Sequence, residues 1–160
     1  PSLVLPLEIL EKMVTGLIRN AIENTPDKGR IDILAQPKGS GILFTVHDFG
    51  VGIVADARKR IFEGFFTTQD TLHYSTKNPF AFNAGGKGAD LLRMKIFSER
   101  YGFTLEMESQ RCRFLKTDPA VQCPGDIEKC GFCKSEKDCL NSGFSIFSIF
   151  LPGEMGQKTL

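Results

Sequence analysis

The run Leu7–Asn24, followed at once by Thr25-Pro26-Asp27-Lys28-Gly29, restricts the fold more than any other stretch of this chain. Leu10, Val14, Leu17, Ile18 and Ala21 recur at helical spacing, which predicts an amphipathic helix with one face on a core. Pro26 cannot continue that helix and Gly29 favours a turn, so the chain must double back near Asn24. Asn20 interrupts the apolar character near the C-terminal end. An amide is poor for helix stability, but its carbonyl oxygen is a hard, neutral ligand suited to Mg2+. Asn24 lies one turn on and faces the same way. A solvated helix-end asparagine is the alternative reading of Asn20.

The residues after the turn predict a β-hairpin over 30–47. Ile31, Ile33 and Ala35 alternate, Pro37-Lys38-Gly39-Ser40-Gly41 turns, and Ile42, Phe44 and Val46 alternate again. The second strand runs into Asp48-Phe49-Gly50-Val51-Gly52. A carboxylate at a strand end can accept a hydrogen bond from an exocyclic amine. The two glycines remove Cβ atoms, so that backbone and ligand can approach closely. A plain Gly-rich turn is the competing explanation. Residues 54–60 read as a short helix. Ile61-Phe62-Glu63-Gly64-Phe65-Phe66 reads as an aromatic anchor at the base of a loop, residues 67–84, that has no clear periodicity. Gly85-Gly86-Lys87-Gly88 then enters a helix over 91–101, an arrangement that offers free N–H groups and a helix dipole to an anion. Phe103, Leu105 and Met107 alternate as a third strand. Residues 144–151 make the last strand, stopped by Pro152-Gly153, and residues 154–160 are a tail.

Taken together and in this order, these stretches resemble the ATP-binding catalytic domain of sensor histidine kinases, in the superfamily with gyrase, Hsp90 and mismatch-repair ATPases. The resemblance covers roughly residues 5–110 and 143–152. It implies that Asn20, in Arg19-Asn20-Ala21, binds Mg2+, with Asn24 beside it. It implies that Asp48, Gly50 and Gly52 read adenine, and that Gly86, Lys87 and Gly88 hold ATP phosphates at the end of a lid. Ser145 falls where the family usually has Thr, helping to bind adenine through water. The implied fold is an α/β two-layer sandwich, a mixed and largely antiparallel sheet packed on helices. Residues 1–153 form this one domain.

The resemblance further implies phosphoryl transfer from ATP to a histidine. Neither His47 nor His73 sits in a helical context like the family's phosphoacceptor. The acceptor is therefore expected on a separate dimerisation domain, with a response regulator receiver domain as the onward partner. No residue of this chain is singled out as catalytic. Three positions depart from the family pattern: Gly16 where a second Asn is usual, Glu23 where a basic residue often stands, and Asp90 in the phosphate-binding helix. They leave open a degenerate nucleotide-binding regulatory module, or a metal- or redox-sensing binding domain. The chain opens without Met and without a signal peptide, which reads as an excised piece of a cytoplasmic region, from a membrane-anchored or soluble kinase. A net charge of +1 gives no global field for nucleic acid or membrane, and no apolar run is long enough to span a bilayer.

Residues 112–142 interrupt what should be a plain hairpin between the third and last strands. The insert has few large apolar residues and needs a staple. Four of the five cysteines in the chain lie between Cys123 and Cys139. Cys130-Gly-Phe-Cys133 has the spacing of a metal-binding knuckle, and Cys123 and Cys139 flank it. One tetrahedral Zn2+ on Cys123, Cys130, Cys133 and Cys139 is expected, with Cys112 in reserve. Disulfides, an iron–sulfur cluster and free thiols are the rivals.

Overall fold

The computed structural model describes residues 5–58, 60–62, 89–115 and 121–153. In chain order the elements are α1 (Leu7–Asn24), β1 (Ile31–Lys38), β2 (Gly41–Asp48), α2 (Ala55–Arg58), α3 (Ala89–Tyr101), β3 (Thr104–Gln110), α4 (Glu136–Leu140) and β4 (Phe144–Leu151). The sequence reading matches α1, the hairpin and β4 closely. It starts α3 two residues late, stops β3 three residues early and makes α2 too long.

Helix α1 begins where Pro6 offers its carbonyl to the N–H groups of Ile9 and Leu10. It ends because proline disfavours helical geometry in the residue before it: Thr25 is extended, at φ −100° and ψ 126°. Two side chains then satisfy carbonyls of the last turn. Thr25 Oγ1 donates to Ala21 O at 2.6 Å, and Asn24 Nδ2 donates to Asn20 O at 2.7 Å.

The sheet order is β1-β2-β4-β3, and every strand pairing is antiparallel. The mixed sheet expected from the resemblance thus has, among the described residues, one parallel element, the isolated bridge Asp27–Asp126. Register sorts the inner face into rows. Phe44, Ile149 and Leu105 align across β2, β4 and β3, and so do Val46, Phe147 and Met107. The next row is polar: Asp48, Ser145 and Ser109. Because side chains alternate with period two, these rows share one face and the polar row forms its end.

Helices α1 and α3 cover that face, α1 against β2 and α3 against both α1 and β3. The buried stripe of α1 is Met13, Gly16, Leu17 and Ala21, while Leu10 packs at its edge. The expected stripe was therefore right in type but turned slightly, and Gly16 supplies the reason. A Cβ there would lie 2.7 Å from Met94 Cε and 3.4 Å from Asp90 Cβ, so its absence lets α3 settle onto α1. Met13 and Leu17 are essentially fully buried, each stabilising the fold by about 2 kcal/mol.

Candidate functional site

Strand β2 delivers Asp48 to the end of the core at 2% exposure. Its carboxylate accepts from the Gly50 N–H at 3.1 Å and from the backbone and hydroxyl of Ser145. Burial outweighs these bonds and raises its pKa from 3.8 to about 7. The hydroxyls beside it have few protons to give. Ser109 Oγ accepts from the Ile53 N–H and donates to Phe144 O, both at 2.8 Å. It lies 3.1 Å from Ser145 Oγ. Each hydroxyl has one hydrogen, so that of Ser145 is divided between Ser109 and Asp48. The carboxylate keeps acceptor capacity for a donor from outside, and such a donor would favour its charged form.

Helix α1 brings Asn20 and Asn24 to the same end. Val51 N–H donates to Asn24 O at 3.0 Å, which ties the loop after Asp48 to the helix terminus. Gly50 and Gly52 make this possible through close backbone approach. A Cβ on Gly50 would fall 2.0 Å from Asn24 O, and one on Gly52 would fall 1.9 Å from Gln110 O. Gly52 also has φ +63°, which disfavours side chains. Both glycines admit neighbouring backbone.

Asn20 fits a metal or phosphate neighbour. Its Nδ2 is buried and has no hydrogen-bond partner among the described residues, an arrangement that costs free energy unless something binds there. A half-turn of the amide offers its oxygen instead. Asn24 has committed Nδ2 to Asn20 O. Gly86, Lys87 and Gly88 lie outside the described residues, as do His73 and the loop 67–84. Of the aromatic anchor, Ile61 is buried and Phe62 meets Phe147 edge-on at 6.4 Å; its other residues lie outside.

Asp90 faces Arg19 NH1 at 3.3 Å and Arg93 NH1 at 3.4 Å. It lies inside α3, one residue past its first position. Arg19 and Arg93 border an open hollow of about 340 Å³ between α1 and α3. His47 is a strand-end histidine, stacked on Phe49 at 4.0 Å, with burial holding its pKa down.

The cysteine cluster is both better and worse than expected. All five cysteines line one cavity, and burial pushes the thiols of Cys123, Cys133 and Cys139 up. Yet among the described residues no three His, Cys, Asp or Glu side chains are arranged to hold a metal ion. The zinc expectation is corrected to that extent. The sulfurs partner one another, Cys133 with Cys130 and Cys139, and Cys112 donates to Ser142 Oγ at 3.3 Å.

Sequence reasoning missed Ser109 and Arg19. Ser109 was legible as the next inward position after Leu105 and Met107. Arg19 was not, because its partner Asp90 lies 71 residues away.

Comparison with known proteins agrees with this geometry. A family model described as histidine kinase-, DNA gyrase B-, and HSP90-like ATPase matches residues 7–125. Sensor histidine kinase RppB of Synechocystis is 31% identical over 100 residues, covering 62% of this chain and 20% of that protein. The C4-dicarboxylate transport sensor protein DctB of Rhizobium meliloti is 32% identical over 102 residues, covering 62% and 14%. The chain thus spans a fifth or less of the length of these curated relatives. The mycobacterial sensor histidine kinase MprB superposes with a TM-score of 0.61 over 96% of this chain and 78% of its own, at 23% identity.

Proposed function

The chain belongs to the family of histidine kinase-, DNA gyrase B- and HSP90-like ATPases, and from that premise we propose that it is the ATP-binding catalytic domain of a two-component sensor histidine kinase. The observation that carries the reading is Asp48: a buried carboxylate, raised to about 7, with unfilled acceptor positions at the end of the core. An adenine exocyclic amine supplies the donor it lacks. Asn20, with its unpartnered amide, would hold Mg2+ through its side-chain oxygen. The ion, when bound, neutralises phosphate charge. Asn24 closes the helix end beside it, and Ser145 orients Asp48 and supports adenine. Gly50 and Gly52 let the loop close under α1. Gly86, Lys87 and Gly88 are assigned to the phosphates.

The chain's own residues bind and align; none is assigned proton transfer. The acceptor histidine belongs to the kinase's dimerisation domain, and a receiver domain takes the phosphoryl group next. A cytoplasmic location fits this role. No described helix is long and apolar enough to cross a membrane. A second reading, a nucleotide-binding module without transfer activity, is favoured by Gly16, whose side-chain space Met94 and Asp90 occupy. Calorimetry with ATP–Mg2+ and GTP–Mg2+ tests the first reading: one ATP per chain and little GTP binding are expected. No ATP binding at high micromolar concentration would overturn it. ATP binding without phosphorylation of a supplied dimerisation domain would leave the second.

A further inference from the structure

The cysteine insert grips the loop after Asp48 from behind. Cys112 N–H donates to Val51 O at 2.8 Å, and Asp27 N–H, just past α1, donates to Gly125 O at 2.7 Å. Gly143 allows this packing, since a Cβ there would meet Cys112 N at 2.7 Å and Gly50 O at 2.9 Å. Gly50 and Val51 also wall a cavity of about 20 Å³ that all five cysteines line.

One pair of these thiols is set apart by its backbone. Cys133 partners the sulfurs of both Cys130 and Cys139. The turn from Cys133 to Cys139 is fixed. Asp138 Oδ2 accepts from the Lys134 N–H and from Ser135 Oγ, both at 3.0 Å. Ser135 Oγ accepts in return from the Asp138 N–H at 3.2 Å, and this reciprocal cap starts α4, the helix that carries Cys139. The link from Cys130 to Cys133 has no such support: a Cβ on Gly131 would meet nothing within 4 Å, and Phe132 is 48% exposed. A turn already held loses less entropy when its two ends are joined. Cys139 is also the thiol wired to the loop. Ser142 Oγ donates to Cys139 O at 2.7 Å and accepts from Cys112 Sγ at 3.3 Å, and Cys112 N–H reaches Val51. Cys139 is buried, whereas Cys133 is half-buried and meets solvent.

We propose that Cys133 and Cys139 are a reversible oxidative modification site, joined by a disulfide when a small disulfide of the glutathione class is in excess, and that the bond tightens the insert's hold on the Asp48–Gly52 loop. The accessible Cys133 loses its proton and attacks the small disulfide, whose S–S bond breaks to leave a mixed disulfide and one free thiolate. Cys139 loses its proton and attacks the Cys133 sulfur, and the second thiolate departs. The two protein thiols give up two electrons, the small disulfide gains them, and the two protons end on its two thiols. Only thiolates attack, and burial raises the thiols of Cys133 and Cys139. No Lys or Arg among the described lining residues offsets that. The exchange is therefore slow, and the site answers to a sustained oxidising poise rather than to a brief peroxide pulse. A transient, sensing bond is also the kind of disulfide that a reducing compartment permits. The effect on ATP rests on the nucleotide reading.

The test incubates the full chain, fully reduced at the start, in buffers of rising oxidised-to-reduced glutathione ratio. The free thiols are then alkylated and the digest is mapped by mass spectrometry. A Cys133–Cys139 cross-link should appear, with Cys112, Cys123 and Cys130 alkylated, and dithiothreitol should reverse it. Cys112→Ala should still form it. Five free thiols in folded protein held in oxidised glutathione would overturn the site, as would a lasting glutathione adduct or any other pairing. For the hold on the loop, oxidised and reduced wild type are compared, which avoids any variant that fails to fold. Amide exchange at Val51 and Cys112 should slow on oxidation. ATP–Mg2+ affinity should rise by about fivefold or more, at the low end of ordinary coupling between sites, because a loop already held loses less freedom on binding. Cys133→Ser should show neither change. Unchanged exchange at Val51 would overturn the tightened hold, and unchanged ATP affinity would overturn its reach to the nucleotide. If neither form binds ATP, the nucleotide reading fails while the modification site stands.

Discussion

Replacing Asp48 with Asn should make the protein bind ATP worse and, above neutral pH, unfold less readily. The Asp48 pKa moves from 3.8 to about 7 on folding, chiefly through burial. Moving the titration that far is worth ~4 kcal/mol. Across the window between those two values the native state keeps a proton that the unfolded chain has released. Stability therefore falls as pH rises through the window, and the whole penalty is present above it. The Asn variant carries no such charge. Its NH2 group, however, must face the N–H of Gly50 or of Ser145, a mismatch that costs about 1–3 kcal/mol. Below about pH 4 the variant should be less stable by that amount, and above about pH 8 more stable by a similar one. Urea unfolding followed by circular dichroism from acid to alkaline pH should show the two stability curves crossing. Parallel curves would refute the reasoning. ATP affinity should fall roughly tenfold to a hundredfold, as loss of a charge-assisted bond worth about 1.5–3 kcal/mol requires. A variant that binds ATP like wild type would show that adenine sits elsewhere.

Asn20→Ala should raise the melting temperature slightly in the absence of nucleotide, because it removes a buried NH2 with no described partner, and should abolish the Mg2+ dependence of ATP affinity measured with and without chelator. Gly50→Ala drives a Cβ toward Asn24 O, 2.0 Å away, and should destabilise by more than ~3 kcal/mol in chemical unfolding. Arg19→Ala should cost at most ~1 kcal/mol of stability, since the pair with Asp90 is partly solvated. It should nevertheless weaken ATP at low salt by exposing the Asp90 charge, and the Arg19→Ala/Asp90→Asn double variant should bind as wild type does.

Local patterns carried much of the fold into the sequence. The stop at Pro26 and the positions of β1, β2 and β4 are set by near neighbours and lie where the residues predict, whereas the α1 stripe is turned slightly and β1 is exposed along most of its length instead of alternating. The polar row was half legible. Asp48 and Ser145 stood out, but Ser109 joins them only through β3–β4 register, which no local pattern fixes. Gly16 reads as a lost ligand position until α3 is packed on α1, where it becomes the point of closest approach. Asp90 reads only as a departure in a phosphate-binding helix until Arg19 meets it across 71 residues. The cysteine spacing correctly brought four thiols together. It could not show that Cys112 ties them to the loop behind Asp48, nor that the sulfurs would not be arranged as ligands.

The crystal structure of this chain with a non-hydrolysable ATP analogue and Mg2+ tests the central claim most directly. The adenine amine should lie within about 3 Å of an Asp48 carboxylate oxygen, and Mg2+ should be bound by Asn20 Oδ1 at about 2.1 Å. A nucleotide seated in the hollow beside Arg19 and Arg93, with Asp48 untouched, would contradict the account.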